Sequence, residues 1–399
     1  MSVLDTPVTH DELIQRAVDL QPLLAKNAAQ TELDRRVVEE NIQAIKDAGL
    51  LKLTVPKRFG GYEVPIRTKI EVSAALAEAC GSTAWVTGLT NVCNWLVGTY
   101  PDAAQQEIFG ADPDARVAGV LAPSPDIEKV EGGYIVSGRW AWSSGSLHAT
   151  WALGGVIQLG PDGVPIDIGT VLMPMSELTI EDTWFVAGMK GTGSNTVVAD
   201  RVFVPEHRYM SVPPAIQGTG YLTEHTDEAL YRSAYVPVLA LILVGPLLGL
   251  GRAALKIAIE KAPKRAVSYT RLATQRDSTA FQLKLSEAAM TLDDAVLHAY
   301  RAADDIDSWA ARGEWMPYLI RARVRADTGW TSKRVREAIS LVLDAHGASG
   351  FADVSPMQRI WRDANTAGRH AVVNGLVSEE VYGKALLGLG PDEQVTDLV

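Results

Sequence analysis

Cysteine is almost absent from this sequence, because the 399 residues contain only Cys80 and Cys93. No Cys-x-x-Cys pair and no Cys/His spacing of the kind that holds zinc occurs. Neither a disulfide framework nor a bound metal is indicated. We expect both thiols, on successive predicted helices, to be small core residues of a protein from a reducing compartment.

Positive charge is scarce as well. Against 48 acidic residues stand 37 lysines and arginines, which gives a formal net charge of −11. This balance argues against nucleic acid or an anionic membrane surface as the main partner. With 47% hydrophobic residues the chain can bury a large core, and its length predicts two or three domains of about 100–200 residues each.

One long apolar stretch, residues 236–251, raises the question of a membrane span. Its length borders on the roughly 20 residues that a span needs, but Pro237, Gly245 and Pro246 interrupt it. We therefore predict a buried helix, bent near Gly245–Pro246, and no membrane partner. The first residues are polar and acidic, unlike a signal peptide, so we expect a cytoplasmic protein.

A dinucleotide fingerprint is missing too. The segment GMKGTGSN, residues 188–195, contains Gly-x-Gly but lies between predicted strands, whereas a phosphate-binding loop follows a strand and opens a helix. No nicotinamide site is visible. Any hydride donor must then belong to another protein.

The order of predicted elements divides the chain into three parts: an N-terminal helical domain (1–112), a middle β domain (113–215) and a C-terminal helical bundle (216–399). Periodic apolar residues predict helices at 11–25, 32–48, 68–79 and 83–98. Short β-branched runs separated by turn residues predict an antiparallel barrel or sandwich. Four long helical segments follow, at 229–261, 279–312, 317–344 and 355–387, and their lengths favour a four-helix bundle.

Residues 138–151, GRWAWSSGSLHATW, open the middle domain with three tryptophans, a serine pair and two glycines. Apolar walls with a few placed polar groups suit a planar, hydrogen-bonding cofactor. The plainer interpretation is a pair of strands with core tryptophans and a turn at Ser143–Gly145.

In this order of domains the chain resembles the acyl-CoA dehydrogenase-like flavoproteins. The resemblance covers nearly the whole length and rests on five segments in the same order, AGLLKLTVPKRFGG (48–61), CGSTAWV (80–86), GRWAWSSGSLHATW (138–151), GMKGTGSNTVVADRVFVPEHR (188–208) and RIWRDANTAGRH (359–370). It implies a three-part α+β fold.

Within that superfamily the chain resembles the group D two-component flavin-dependent monooxygenases in two features. Trp142-Ser-Ser-Gly matches the oxygenase form of the motif, and His370 follows Arg362-Asp363 where these oxygenases carry a histidine facing the flavin. The usual Tyr-Glu-Gly turn that supplies a dehydrogenase base is absent, since Glu379 and Glu380 precede Tyr382-Gly383 on a predicted helix.

The resemblance implies roles for several residues. In the oxygenases, reduced flavin and O2 form a C(4a)-hydroperoxyflavin, which the protein must shield from water. Ser144 is the expected hydrogen-bond partner of flavin N(5), and His370 the expected acid or base beside the adduct. Trp142 is expected against the flavin ring, and Ser143 either at a flavin carbonyl or facing away.

The resemblance also implies further contacts with the cofactor and with the substrate. Thr192 and Ser194, with the backbone around them, are expected to approach the cofactor, and Arg271 is expected to reach the flavin phosphate of a neighbouring subunit. For the substrate we expect Asn91, Cys93 and Trp95, with Cys93 standing where several oxygenases have a histidine. Loop 213–227 is a candidate lid.

The sequence thus predicts the oxygenase component of a two-component monooxygenase, using FADH2 or FMNH2 and O2 to hydroxylate an aromatic or heteroaromatic, indole- or polyketide-like molecule. A separate NAD(P)H:flavin reductase and a homotetramer or homodimer are implied partners. Two alternatives stay open, an acyl-CoA dehydrogenase with an atypical base and a non-catalytic helical assembly protein.

Overall fold

The computed structural model describes residues 8–124, 127–219 and 223–399. The N-terminal part is helical, with α1 His10–Leu33, α2 Glu39–Asp47, α3 Ile66–Ala77, α4 Gly81–Val97 and α5 Asp102–Ile108. Thr9 begins α1 with a capping box closed by Glu12. The prediction that a helix starts at residue 32 is wrong, because α1 continues to Leu33 and α2 begins only at Glu39. Between them the chain turns at Arg35 (φ 51°), whose guanidinium donates to Asp182 at 2.7 Å.

Both cysteines are free and buried, as predicted, with exposed fractions of 6% for Cys80 and 3% for Cys93. They do not lie on successive helices. Cys80 is the residue before α4 and Cys93 lies on that same helix. Helix α4 is buried on nearly every side, because it packs between α3, the helix Val244–Lys261 of the C-terminal part and the strand Val117–Ser124 of the middle part.

The middle part consists of two four-stranded sheets facing each other. One has the order β1-β4-β5-β8 and the other β2-β3-β7-β6. Of the two predicted alternatives the sandwich is correct, and an exception to the antiparallel prediction is the parallel pairing of β1 with β4. The bounds are β1 Val117–Ser124, β2 Ile127–Val130, β3 Gly133–Ser143, β4 Trp151–Leu159, β5 Pro165–Pro174, β6 Thr179–Glu181, β7 Asn195–Pro205 and β8 Tyr209–Ser211.

The C-terminal part contains a bundle in which α8, α9 and α12 all pack against α10. Its first segment is broken at residues 242–243, because Pro246 has no N–H for the carbonyl of Ile242 and its ring crowds that carbonyl. The bend therefore precedes the predicted site by three residues. The helices are α6 Val212–Gln217, α7 Tyr235–Leu241, α8 Val244–Lys261, α9 Thr279–Arg312, α10 Tyr318–His346, α11 Pro356–Ala367 and α12 Gly375–Leu386.

The last predicted helix, 355–387, is two helices separated by the turn 368–374. Gly368 lies so close to α10 that a Cβ on it would stand 2.8 Å from Ser332 Oγ, and that hydroxyl donates to the Gly368 carbonyl. Asn374 then caps α12 through its side chain. The turn carries His370 out of helical geometry.

The apolar stretch is a core helix. Tyr235–Lys264 is long and apolar enough to cross a membrane, yet 83% of its most apolar window is buried inside the protein. Gly249 allows this close packing, because a Cβ there would meet the Ala74 carbonyl at 2.1 Å. The predicted lid begins with α6, and its residues 220–222 lie outside the described part of the chain.

Candidate active site

A β-bulge at the end of β3 directs Trp142 out of the sandwich. Trp140 pairs with Val197 and Ser143 with Asn195, so two residues of β3 face one residue of β7. Trp142 takes a left-handed backbone (φ 69°), which is strained for a bulky side chain. Its ring is 68% exposed and packs edge-on against Trp184, whereas Trp140 is buried. The interpretation of Trp142 as a core residue is therefore wrong.

Ser144, directly after β3, begins a chain of buried hydroxyl groups. Its Oγ lies 2.6 Å from Ser194 Oγ, which in turn lies 2.6 Å from Thr192 Oγ1. Thr192 donates its single proton to the Met189 carbonyl (2.9 Å), and Trp85 Nε1 donates to Ser144 Oγ (3.2 Å).

The proton of Thr192 sets the direction of this hydroxyl chain. Where it goes to the Met189 carbonyl, Thr192 accepts from Ser194 and Ser194 accepts from Ser144. That carbonyl also accepts Trp184 Nε1 at 3.0 Å and the Thr192 N–H at 3.2 Å, so it does not require the third donor. In this orientation the proton of Ser144 is used inside the protein, one lone pair accepts from Trp85, and a second lone pair is left for a ligand.

The segment that carries Thr192 and Ser194 is held by α11. Asp363 Oδ1 accepts the backbone N–H of Met189 at 2.5 Å, and the Cβ position of Gly188 lies 2.2 Å from the Arg362 carbonyl. Met189 and Gly193 both adopt left-handed backbones around the short helix Lys190–Thr192. Burial raises the pKa of Asp363 to about 6 against the lowering effect of the Met189 N–H.

His370 lies beside Trp85, in the turn after α11. Its ring centroid is 5.9 Å from that of Trp85, in an edge-on arrangement. The residue is exposed in the described chain. Burial, and then the positive charge of Arg325, lower the pKa of His370 to about 4. The imidazole is therefore neutral at pH 7.

The structure therefore brings Ser144, Thr192, Ser194 and His370 together around Trp85, with Trp142 at the outer edge. Ser143, 2% exposed, ends β3 beside Asn195. Trp85 is the residue that sequence reasoning missed. Its segment CGSTAWV was noticed, but nothing in a helix of small residues indicates which side chain reaches a strand of another domain.

The three expected substrate residues on α4 do not share one environment. Asn91 receives the Leu53 N–H at 2.9 Å and donates to the Leu50 carbonyl at 2.8 Å, so its amide holds the segment before α3. Trp95 donates to the Leu230 carbonyl at 2.9 Å. For Asn91 the prediction of a substrate contact needs correction, because both ends of its amide are used by the backbone.

Cys93 lies in a buried polar region between α3, α7 and β1. A Cβ on Gly119 would stand 2.7 Å from Cys93 Sγ. Lys69 of α3 is fully buried near this thiol, and its Nζ, like Tyr235 Oη, has no hydrogen-bond partner in the described chain. Burial holds the pKa of Lys69 well below its usual value and raises that of Cys93 to about 12, so the thiol is protonated.

Arg271 is not part of this cluster. It lies in the exposed loop before α9, and within the described chain its guanidinium has no hydrogen bond or ion pair. The carboxylates of the dehydrogenase alternative are also elsewhere. Glu379 and Glu380 are exposed on α12, and Glu380 pairs with Lys384 at 3.6 Å.

The cluster fits a reduced flavin. An exposed indole offers a flat apolar face, and a buried hydroxyl beside it offers an acceptor for an N–H group. Reduced flavin carries a proton on N(5), whereas oxidised flavin has a lone pair there. Fold and cluster together define a flavoprotein of the acyl-CoA dehydrogenase type.

Comparison with known proteins agrees with this class. Residues 12–110 match the family described as Acyl-CoA dehydrogenase, N-terminal domain, and residues 241–375 match Acyl-CoA dehydrogenase, C-terminal domain. The chain is 33% identical to the flavin-dependent monooxygenase oxygenase subunit HsaA of Mycobacterium tuberculosis, over 94% of this chain and 96% of that protein. It is 32% identical to the FADH2-dependent resorcinol hydroxylase oxygenase component of a Rhizobium species, over 96% of each.

A solved structure of XiaF from a Streptomyces species, in complex with FADH2 and glycerol, superimposes with a TM-score of 0.90. It is 36% identical and 96% of each chain is covered. The chain belongs to the acyl-CoA dehydrogenase-like flavoproteins, in the branch of oxygenase subunits of two-component flavin-dependent monooxygenases. It is therefore an oxidoreductase that works with reduced flavin.

Proposed function

We propose that this oxygenase hydroxylates an aromatic or heteroaromatic small molecule, with FADH2 or FMNH2 and O2, at the cluster of Ser144, Trp85 and His370. The observation that carries the proposal is the hydroxyl chain from Trp85 to Met189, in which Ser144 can pass its proton to Ser194 and keep a lone pair for an N–H group. The names of relatives support the substrate class, since they include hydroxylases of resorcinol, p-hydroxyphenylacetate and indole-3-acetate.

Reduced flavin supplies the electrons that activate O2, and the protein's own residues do the rest. Ser144 would accept a hydrogen bond from the N(5)–H group of bound reduced flavin. Trp142 would support one face of the bound ring system, and Trp85 contacts both Ser144 and His370. Thr192 and Ser194 act through Ser144, because their hydroxyls face each other rather than the cleft.

His370 is proposed as the proton acceptor for the substrate. The imidazole is unprotonated in the physiological range, and because its lowered pKa makes it a weak base, a proton that it accepts must be stabilised by the bound substrate. The ring nitrogens are the atoms that would receive a proton from a substrate hydroxyl or ring N–H.

The electrons must come from a separate NAD(P)H:flavin reductase. The relatives are named as oxygenase subunits or components, which implies a second component. We place both proteins in the cytoplasm, where reduced flavin can diffuse between them.

The active form is proposed to be a homotetramer or homodimer built on the C-terminal bundle. Three exposed apolar side chains recur every seven residues along α9, namely Leu283, Met290 and Leu297, with exposed fractions of 66–70%. Such a stripe on a surface helix is typical of a contact with another helix. Arg271 lies in the loop before α9, so a neighbouring copy would bring its guanidinium toward a second flavin.

The test supplies reduced flavin from an unrelated flavin reductase and NADH under ¹⁸O2, with resorcinol, p-hydroxyphenylacetate or indole-3-acetate. Incorporation of one labelled oxygen into a ring, dependent on the oxygenase, supports the proposal. A dehydrogenase would instead reduce its bound flavin with an acyl-CoA in the absence of any reductase. Labelled peroxide alone with all three aromatic compounds would contradict the proposed substrate class.

A further inference from the structure

The Met189 carbonyl has three donors within reach and only two lone pairs. Trp184 Nε1 lies 3.0 Å from this oxygen, the Thr192 backbone nitrogen 3.2 Å and the Thr192 hydroxyl 2.9 Å. The indole and the backbone N–H alone therefore satisfy the carbonyl. The hydroxyl proton of Thr192 can instead point away from it, to Ser194 Oγ at 2.6 Å.

The chain of hydroxyl groups can accordingly run in either of two directions. In the first, the Thr192 proton goes to the Met189 carbonyl and Thr192 accepts from Ser194. Ser194 in turn accepts from Ser144 at 2.6 Å. In the second, Thr192 donates to Ser194, Ser194 donates to Ser144, and the Ser144 proton points out of the chain. Trp85 Nε1 keeps its acceptor, Ser144 Oγ, in both directions.

Burial makes the three hydroxyls change direction together. Thr192 and Ser194 are each 3% exposed, whereas Ser144 at the end of the chain is 9% exposed. Reversing one hydroxyl alone would place two protons in one gap and none in the next, which is costly away from water. The chain is therefore a two-state element. Its states differ in what Ser144 presents, a lone pair in the first direction and a proton in the second.

We propose that Trp184 and Thr192 determine whether the site prefers reduced or oxidised flavin, because they compete for the Met189 carbonyl. This inference rests on the proposed function, in which Ser144 faces flavin N(5). The N(5)–H group of reduced flavin selects the first direction, and the N(5) lone pair of oxidised flavin selects the second. The reversal only rotates O–H groups, so no covalent bond forms or breaks.

The two residues act in opposite senses. Removing the indole N–H in W184F leaves the Met189 carbonyl short of a donor, which draws the Thr192 proton to it and favours the first direction. Removing the hydroxyl in T192V leaves the Ser194 proton with Ser144 as its remaining acceptor among the described residues, which favours the second. Trp184 therefore lowers the preference for reduced flavin, and Thr192 raises it.

The experiment measures the dissociation constants of reduced and oxidised FAD for each variant, by anaerobic titration and by fluorescence. The ratio of the oxidised to the reduced constant should rise about threefold or more in W184F and fall by about tenfold in T192V. T192S, which keeps the hydroxyl, should restore the wild-type ratio. In W184F/T192V the ratio should equal that of T192V, because the carbonyl acts on the chain only through the Thr192 hydroxyl.

W140F and T99V are the matched controls. Trp140 is likewise a buried indole that donates to a backbone carbonyl, that of Gly155 at 2.8 Å. Thr99, like Thr192, donates to the carbonyl three residues before it, that of Leu96 at 2.6 Å. Both variants should keep the wild-type ratio, because neither side chain donates into the hydroxyl chain.

Unchanged ratios in both W184F and T192V would overturn the inference, as would a W184F effect of the same size in the T192V background. Should W184F fail to fold, T192V and T192S decide, since the ratio must fall in the first and recover in the second. Ser144→Ala separates this inference from the proposed function. If that variant loses affinity for FAD while the other ratios stay constant, the inference alone fails. If it binds both states of FAD as wild type does, the assigned role of Ser144 fails with it.

Discussion

At the scale of single residues, proton positions define this site more than charges do. Ser144 would be an ambiguous hydroxyl in isolation, able to donate or to accept. In the orientation proposed for reduced flavin, Ser194 takes its proton and Trp85 occupies one lone pair. Sequence similarity could identify Ser144 but not the direction of its hydrogen bonds, since these depend on residues from α4 and the 189–194 segment.

Ser144→Ala should shorten the lifetime of the oxygenated flavin and increase peroxide release. The variant removes the N(5) acceptor and leaves the Trp85 N–H unpaired, a loss of about 1–3 kcal/mol or roughly tenfold or more in rate. Stopped-flow absorbance and a peroxide assay measure both effects. Ser146→Ala is the control, because that hydroxyl faces the Gly193 carbonyl. Equal lifetimes in the two variants would remove Ser144 from its proposed role.

Asp363 predicts a specific dependence of stability on pH. Its pKa is about 6 in the folded protein and 3.8 in the unfolded chain, so folding favours the protonated acid. This contribution is fully present below about pH 4 and is lost as the pH rises through 6. Asp363→Asn keeps an acceptor for Met189 without the charge.

The variant should therefore gain stability over wild type by on the order of 2 kcal/mol at pH 8, and by little at pH 4. Urea unfolding at the two pH values measures the difference. If wild type and variant differ in free energy of unfolding by the same amount at both pH values, Asp363 does not titrate in this range.

At the scale of elements, interruptions of regular structure position the site. The bulge in β3 exposes Trp142, the left-handed residues around Lys190–Thr192 bring Thr192 and Ser194 to Ser144, and the turn 368–374 frees His370 from helical geometry. The sequence predicted α9 over the residues that the structure shows, because its periodicity is long and uninterrupted. It missed the turn at 368–374, because close packing of Gly368 on α10 is a tertiary contact.

Ser194→Ala tests the role of the 189–194 segment. Without Ser194 the proton of Ser144 has no acceptor in the protein and can turn to the lone pair of oxidised N(5). The preference of the site for reduced over oxidised flavin should fall by about tenfold, which corresponds to one lost hydrogen bond of roughly 1.4 kcal/mol.

Fluorescence titration with oxidised flavin and anaerobic titration with reduced flavin give the two dissociation constants. Thr99→Ala is a suitable control, since its hydroxyl is likewise buried but donates to the Leu96 carbonyl. An unchanged ratio in Ser194→Ala would contradict the assigned direction of the hydroxyl chain.

At the scale of the whole molecule, the site is shared by all three parts of the chain. Trp85 comes from the helical N-terminal part, Ser144 from the sandwich, and His370 from the turn between α11 and α12 of the C-terminal part. The division at residues 112 and 215 stays a prediction. Composition and the order of predicted elements indicated the three-part architecture. That a flavin site uses residues from all three parts was expected only from the resemblance to known flavoproteins. Arg271 remains outside the cleft of its own chain.

Mixed oligomers test the proposed role of Arg271. Arg271→Ala alone should weaken flavin binding, and Ser144→Ala alone should lower coupling. When the two variants are coexpressed, an Arg271→Ala protomer has an intact Ser144 and can receive Arg271 from its neighbour, so hydroxylation should partly recover. No recovery above the mean of the separate variants would place Arg271 outside the neighbour's site.

The most direct measurement of the central claim is anaerobic mixing of the oxygenase with reduced FAD or FMN, followed by addition of O2 and absorbance recording by stopped flow. The account predicts a transient band, distinct from oxidised flavin, that persists in wild type and decays faster in Ser144→Ala. Immediate appearance of oxidised flavin with stoichiometric peroxide, equal in both proteins and unchanged by a phenolic substrate, would contradict it.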